Sequence, residues 1–524
     1  MVPIDHFDVS ADQRPEQPAI IDEDRAITYA ELVAMSWKVG GFVAATSRSD
    51  APVQAVIFSP NHYGVLVAML GVMRAGGAIV PLHAGNDLAT NTAVLAQLQP
   101  QCLFYHSSLI RQVERLREAF PSIERYICLD APLSAAESLE AILEQQPLPI
   151  PDWLDPAGNR SRPMFYWATS GTTGGPKVVV EDCGCFDIML RASRQRRDPL
   201  RQVGTTMSLG PMTHGGGPSA IATMTLGGTV LIQRHFDATN ILERIAKYGI
   251  TELWLSPTAL VLLLEHPEVR SYDCSSLRSV LLGAAGIAAD KLRQAVDVFG
   301  PCIAHSYGQI EASFITLFDG PALAAAVNGQ HPERLYSSGR TMNVSRLAIM
   351  SEEGQILPSG SEGEIVVRGA CVKRYLDPEL EQHAKRLEWH HTGDVGYIDA
   401  DGFLYITNRI KDVINVSGFK VAAREVECVI EELCEIEEVA VVPCSDDMRG
   451  EVVRAVVTVR RGHAFDAARI VSHCRIRLGQ RKTPAMVEHW QELPRSPAGK
   501  IDKRKIAGSH GNACLSLKAP IAAG

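Results

Sequence analysis

Through the first 320 residues, short β-branched runs alternate with amphipathic stretches of helical period. Ala55–Ser59, Ala78–Leu82, Thr229–Gln233, Glu252–Leu255 and Ser279–Leu282 read as strands; Ile241–Lys247 and Ala288–Val298 read as helices between such strands. Alternation of this kind feeds parallel strands through crossover helices, so layered α/β architecture with largely parallel sheets is expected. At 524 residues the chain is too long for one ordinary core, and two or more domains follow. The pattern changes after about residue 340. Gly363–Arg368 reads as an isolated strand, and Tyr397–Leu404 as a hairpin around Asp399-Ala400-Asp401-Gly402. A compact α+β segment follows from about residue 412.

Composition narrows the function classes. A net charge of −9 argues against a general nucleic-acid binder. The twelve cysteines lack paired zinc spacing, Cys183-Gly184-Cys185 being too close, so free thiols in a reducing compartment are expected. The apolar run Val65–Leu82 is interrupted by Arg74 and glycines, and reads as a buried helix and strand, not a membrane span. Met1–His6 carries no basic-then-apolar signal pattern. A cytoplasmic protein without nucleic-acid or membrane partners is the expectation.

The apolar run Met164–Trp167 leads into Thr169-Ser170-Gly171-Thr172-Thr173-Gly174-Gly175-Pro176-Lys177. Glycines let backbone N–H groups converge on an anion, hydroxyls add neutral donors, and Lys177 adds charge. A polyphosphate is the expected ligand. The common NTPase loop needs Gly-Lys followed by Ser or Thr, whereas Pro176 precedes and Val178 follows this lysine. Alone, Gly-Thr-Thr-Gly is a solvated turn; with Pro176-Lys177 and Thr169-Ser170-Gly171 it resembles the phosphate-binding signature of the adenylate-forming superfamily. That superfamily includes acyl-CoA synthetases, adenylation domains of nonribosomal peptide synthetases and beetle luciferases.

Downstream segments resemble the same family in order, from about residue 20 to 506. The turn Gly283-Ala284-Ala285 follows a strand and, by the resemblance, contributes to an adenine pocket. His305-Ser306-Tyr307-Gly308-Gln309-Ile310-Glu311 resembles Tyr-Gly-x-Thr-Glu. Tyr307 would stack near adenine, and Glu311 would hold Mg²⁺, a hard cation that prefers carboxylate oxygen. Ile310 departs from the family's threonine, which contacts the α-phosphate, and His305 stands where Asn or Gln is usual. In His391-Thr392-Gly393-Asp394, Asp394 would accept from the ribose hydroxyls. In the run Asn408–Val421, Arg409 would contact ribose or phosphate and Lys411 would be the pivot, while Gly418 would leave room for a pantetheine arm. Leu493–Ile501 matches the family's C-terminal lysine motif, which makes Lys500 the adenylation lysine. From Arg460 to Lys505 there are twelve Lys or Arg against four Asp or Glu, a solvated face or a surface for phosphates or an acidic carrier protein.

The resemblance implies a large N-terminal domain of α/β subdomains with a small β-barrel-like subdomain (1–408), a hinge (409–412), a small mobile α+β domain (413–510), and a disordered tail (511–524). It implies two half-reactions: a carboxylate attacks ATP to give acyl-AMP and pyrophosphate, then a thiol takes the acyl group. His214 stands where aryl- and acyl-CoA ligases commonly have histidine, and no aspartate follows to bind an α-amine. Gly215, Gly216 and Gly217 surrender side-chain volume, as for a wide or deep pocket, or make a flexible loop, the two readings standing equal, while Phe314 and Ile315 would add apolar walls. These residues favour a hydrophobic, non-amino carboxylic acid, bulky or cyclic, converted to its CoA thioester. Two alternatives stand beside this one. The Ile310 substitution would impair adenylation in an enzyme fed preformed acyl-AMP, or the acceptor would be the pantetheine of a carrier protein. A homodimer is left open.

Overall fold

The computed structural model describes residues 2–47, 52–131, 138–150, 160–169, 175–196, 204–369, 371–416, 419–446, 450–496 and 500–509. Those within 1–335, 339–347 and 367–390 form one compact unit, and those within 336–338, 348–366 and 391–524 form a second.

The first unit is built on two sheets. In one, Ile303–Gln309, Ser279–Leu282, Ile250–Leu255, Thr205–Ser208, Thr229–Ile232 and Pro18–Asp22 run parallel in that spatial order, with antiparallel strands at both edges. In the other, Pro163–Thr169, Ala78–Leu82, Gln54–Phe58, Cys102–Tyr105 and Arg125–Cys128 run parallel, and Lys177–Asp182 and Arg374–Tyr375 extend the edge antiparallel. Strand runs read from the sequence fall within a residue or two of these elements, and the helices Ala238–Tyr248 and Ala289–Phe299 occupy the expected gaps.

A shared apolar core unites strand residues of both sheets, such as Val230 and Ile232 of one and Ile57, Ile79 and Phe165 of the other. Helices Tyr29–Ala45, Tyr63–Arg74 and Gly216–Met224 contribute to the same core. Helix Tyr63–Arg74 is buried from Gly64 onward, which explains its nearly uninterrupted apolar sequence. It buries Arg74 as well, whose guanidinium donates to Ser36 Oγ at 2.7 Å and to Asp8 at 2.9 Å. No described helix is long and apolar enough to cross a membrane.

In the second unit, Asp394–Ile398 pairs antiparallel with Leu404–Arg409. The expected hairpin turn is closed by the Asp399 carboxylate, which accepts from Asp401 N and Phe403 N, each at 2.9 Å. Gly363–Gly369 is not isolated: it joins a five-stranded sheet. A further five-stranded sheet follows, in which Ile436–Asp446 and Gly450–Val459 form the longest pair. Helices Ala423–Glu431 and Ala467–Leu478 bury their apolar faces on it through Val426, Ile430, Ile470 and Cys474. The described cysteines are all free thiols.

Candidate active site

In parallel α/β sheets, ligand sites gather outside the carboxyl ends of the strands. In the first unit those ends carry Ser208, Trp254, Gly283 and Ser306 from successive strands.

The expected phosphate loop springs from an antiparallel pair. Thr169 and Lys177 stand opposite each other in register, so the stem of the loop is fixed on both sides. Ser170, Gly171, Thr172, Thr173 and Gly174 lie outside the described residues. Gly175 has φ +150°, a conformation side chains resist. Behind the stem lies a buried polar knot. Glu181 accepts from Trp167 Nε1 at 2.7 Å and pairs with Lys373 Nζ at 3.3 Å, all three side chains being buried or nearly so. The Lys177 ammonium lies 5.7 Å from the Tyr375 ring centre, and the Tyr375 hydroxyl donates to Glu311 Oε1 at 2.9 Å. Burial first, and the Glu311 carboxylate next, push the Tyr375 hydroxyl well above its ordinary pKa. Tyr375 thus stays a donor and links Lys177 to Glu311.

Glu311 sits in the turn between the antiparallel strands Ile303–Gln309 and Ser313–Phe318. Gly308 is required there, because a β-carbon would collide with the Ser313 carbonyl. Ile310, beside Glu311, is half-buried against the large apolar core. Ile315 is fully buried with Ala312 and Val367, with Tyr307 packed on them. It packs with Tyr307 in an apolar cluster; the sequence suggested it as a wall of the acid pocket. Ser306 donates to Leu282 O at 3.1 Å and ties its strand to the Gly283 turn. Ala284 holds φ +74° without being glycine, strain of about 1–2 kcal/mol of the kind stored at functional sites. Ala285 follows it on the same exposed turn. His305 is buried and held neutral by desolvation.

The His214 loop is stapled by Asn61, which sequence reasoning missed. Its side chain donates to Gly210 O at 3.1 Å and accepts from Met212 N at 2.8 Å. His214 meets His83 edge-on at 4.8 Å between ring centres and lies 6.4 Å from Trp167, which stacks on Phe165 at 4.6 Å. Burial, reinforced by His83, drives the His214 pKa down to about 3, so the imidazole is neutral at physiological pH. Two of the glycines around it permit close backbone approach. A β-carbon on Gly216 would lie 2.5 Å from Gly210 O, and one on Gly217 would strike Met212 O. At Gly210 the vacated volume is filled by the Trp254 ring, which would lie 2.9 Å from a β-carbon there. Gly216 and Gly217 therefore allow a tight loop, and Gly210 lets the indole approach it. Trp254, hidden in the apolar run Leu253–Leu255, carried no signal separating it from ordinary core.

In the second unit, buried Asp394 pairs with Arg409 Nε at 2.7 Å, and the two residues face each other across the hairpin. Glu364 accepts from His391 Nδ1 at 2.6 Å and from Gly393 N at 3.1 Å, holding the turn that presents Asp394. Lys411 lies in the one-turn helix Ile410–Asp412; its side chain, and Gly418 entirely, lie outside the described residues. Lys500 is exposed, and its carbonyl accepts from Ser496 N at 2.7 Å. Asp502 N donating to Pro494 O, also at 2.7 Å, continues that pairing.

Residues 7–376 match the model of the AMP-binding enzyme family, and residues 425–500 match that of the AMP-binding enzyme C-terminal domain. The chain is 29% identical to an indoleacetate–CoA ligase of Aromatoleum aromaticum, over 95% of this chain and 96% of that protein. It is 30% identical to the medium/long-chain-fatty-acid–CoA ligase FadD8 of Mycobacterium tuberculosis, over 96% and 89%. Among solved structures, the amide bond synthetase McbA of Marinactinospora thermotolerans superposes with a TM-score of 0.85 at 26% identity, covering 96% of this chain and 99% of that one. The motifs, the fold and these matches agree: the chain belongs to the AMP-binding enzyme family of the adenylate-forming superfamily, as an acid–thiol ligase of the acyl-CoA synthetase kind.

Proposed function

We propose that the protein converts a hydrophobic, cyclic, non-amino carboxylic acid to its CoA thioester through an acyl-adenylate. The observation that carries this reading is the wall of aromatic and neutral rings at the strand ends: Trp167, neutral His214 and Trp254. Flat rings stack on such a wall at little entropic cost, and a neutral imidazole attracts no second charge on the acid. The relatives include one named for indoleacetate, a cyclic acid, and one named for fatty acids; the ring-lined wall favours the first kind.

In the proposed reaction the carboxylate attacks the α-phosphorus of ATP, the α–β bridging P–O bond breaks, and pyrophosphate leaves. Thr169, Lys177 and the loop Ser170–Gly174 would cradle the phosphates, and Lys500 would neutralise charge developing at the α-phosphate. Gly283, Ala284, Ala285, Ser306, Tyr307, Gly308 and Gln309 would frame the adenine, with Asp394 and Arg409 at the ribose. Glu311, a carboxylate oriented by Tyr375, would hold Mg²⁺, which shields phosphate charge and needs few protein ligands besides the phosphates. The CoA thiol then attacks the acyl carbonyl and AMP leaves. We assign 409–412 as the hinge between the two half-reactions, with Lys411 taking the backbone change, and Gly418 as the clearance for pantetheine.

ATP–pyrophosphate exchange across a panel of aryl, arylalkyl and straight-chain acids tests the first half. Thioester formation with free CoA, run against a holo carrier protein, tests the second. Exchange confined to straight-chain or amino acids would refute the assignment. One observation favours a second reading: Ile310 turns its side chain to the core and offers the α-phosphate no donor. Adenylation would then be slow, and thioester would form from supplied acyl-AMP faster than from acid and ATP.

A further inference from the structure

We propose that a small cavity beneath the Gly210–Gly216 loop reads a hydroxyl group on the ring of the acid, with Ser208 as its specificity-determining residue. The proposal rests on the assignment of a cyclic acid substrate made above.

Ser208 ends the parallel strand Thr205–Ser208, where the fold gathers its ligand groups. It is only 6% exposed, and its hydroxyl has no hydrogen-bond partner among the described residues. A buried hydroxyl without a partner is costly to maintain and calls for an occupant that supplies one. Ser208 lines a cavity of about 10 Å³ together with Gly210, Gly216, Ser219 and Trp254. That is room for one water-sized group.

The chemistry of the lining narrows the occupant. The side chains are hydroxyls, apolar groups and an indole; none is ionised. A carboxylate or ammonium on the substrate would be buried unpaired there, at a cost that excludes it. A methyl group would fit by size and leave Ser208 unsatisfied. A hydroxyl both fits and pairs, since Ser208 can donate or accept. Thr206, the other hydroxyl on this strand facing the cavity, is already engaged with Thr223 Oγ1 at 2.9 Å. Trp254 closes the side: a β-carbon on Gly210 would lie 2.9 Å from its ring. The substituent must therefore be a single heavy atom carried on a flat frame, as on a hydroxyaryl acid.

The test is ATP–pyrophosphate exchange by the full chain, with benzoic, phenylacetic and cinnamic acids each paired with their ring-hydroxylated isomers. The wild type is expected to favour one hydroxyl isomer over its parent by about tenfold in kcat/KM, the worth of one neutral hydrogen bond. Ser208→Ala is expected to bring that ratio close to one while leaving the parent acid's kcat/KM within about threefold. Ser208→Val fills the cavity and should reject the hydroxyl isomer while still accepting the parent. Thermal melting of both variants checks that they fold. A wild type without hydroxyl preference, or a preference surviving in Ser208→Ala, overturns the proposal while leaving the cyclic-acid assignment standing. Exchange with no cyclic acid overturns both.

Discussion

His214 is kept neutral by burial and by the neighbouring His83, with its pKa lowered from 6.5 to about 3. His62, also buried, is lowered to about 4. A depressed folded pKa means that below pH 6.5 the unfolded chain takes up protons that the folded chain refuses. Each group therefore contributes stability that is intact above pH 6.5 and lost as pH falls, at up to about 1.4 kcal/mol per pH unit. For His214→Gln, the slope of unfolding free energy between pH 6.5 and 5 should shrink by about that amount in denaturant titrations; an unchanged slope would show that His214 is not the proton-refusing group. Ile310 belongs to the same scale. Replacing it by Thr removes apolar contact with the core, at a cost of about 1 kcal/mol, and offers the α-phosphate a donor. Exchange should rise about ten- to hundredfold if the isoleucine limits adenylation, the worth of a hydrogen bond to a charged group. No rise would remove the impaired-adenylation reading.

Between elements, the decisive arrangement is the edge of the second sheet, where Arg374–Tyr375 pairs with Val179 and Val180. This two-residue strand brings Lys373 to Glu181 and Tyr375 to Glu311. Nothing in the sequence announces it: it is too short for periodicity to register, and its partner lies far away in the chain. Trp254 and Asn61 were equally invisible, because an indole in an apolar run and an asparagine after a strand look like core and turn. Thr169, Lys177, Glu311, Asp394 and Lys500 could be nominated from the sequence, because the phosphate and metal chemistry proposed for them would demand particular residue types at particular spacings. The close approach of Gly216 and Gly217 to the carbonyls of Gly210 and Met212 was not legible, since it depends on how the loop folds back on itself. Lys373→Met tests this edge. It leaves the Glu181 carboxylate buried without its cation, and breaking a buried pair from one side costs about 3–5 kcal/mol. Chemical denaturation should show a loss of that order. A loss below about 1 kcal/mol would mean that Glu181 reaches water or another donor.

For the whole molecule, the order of motifs along the chain carried more information than any one of them. A Gly/Thr loop, a Glu turn, an Asp hairpin and a lysine turn are each common; in this order over one chain they specify a family, and the family brings the two-unit fold. Physical chemistry then separates the work of the units. Lys500 lies in the second unit, where its own carbonyl accepts from Ser496 N and the Pro494 carbonyl accepts from Asp502 N. Truncating the side chain keeps both of these backbone bonds. Its proposed task is confined to charge developing at the α-phosphate, which exists only while the carboxylate attacks ATP. Lys500→Ala should thus lower ATP–pyrophosphate exchange by about 10²–10³-fold, the usual effect of deleting one preorganised electrostatic group. Thioester formation from supplied acyl-AMP and CoA should stay within about threefold of wild type, because an ammonium absent from that transition state contributes nothing to its rate. Equal losses in both half-reactions would instead place Lys500 in a structural or thiol-binding role, and the assignment of the adenylation lysine would fail.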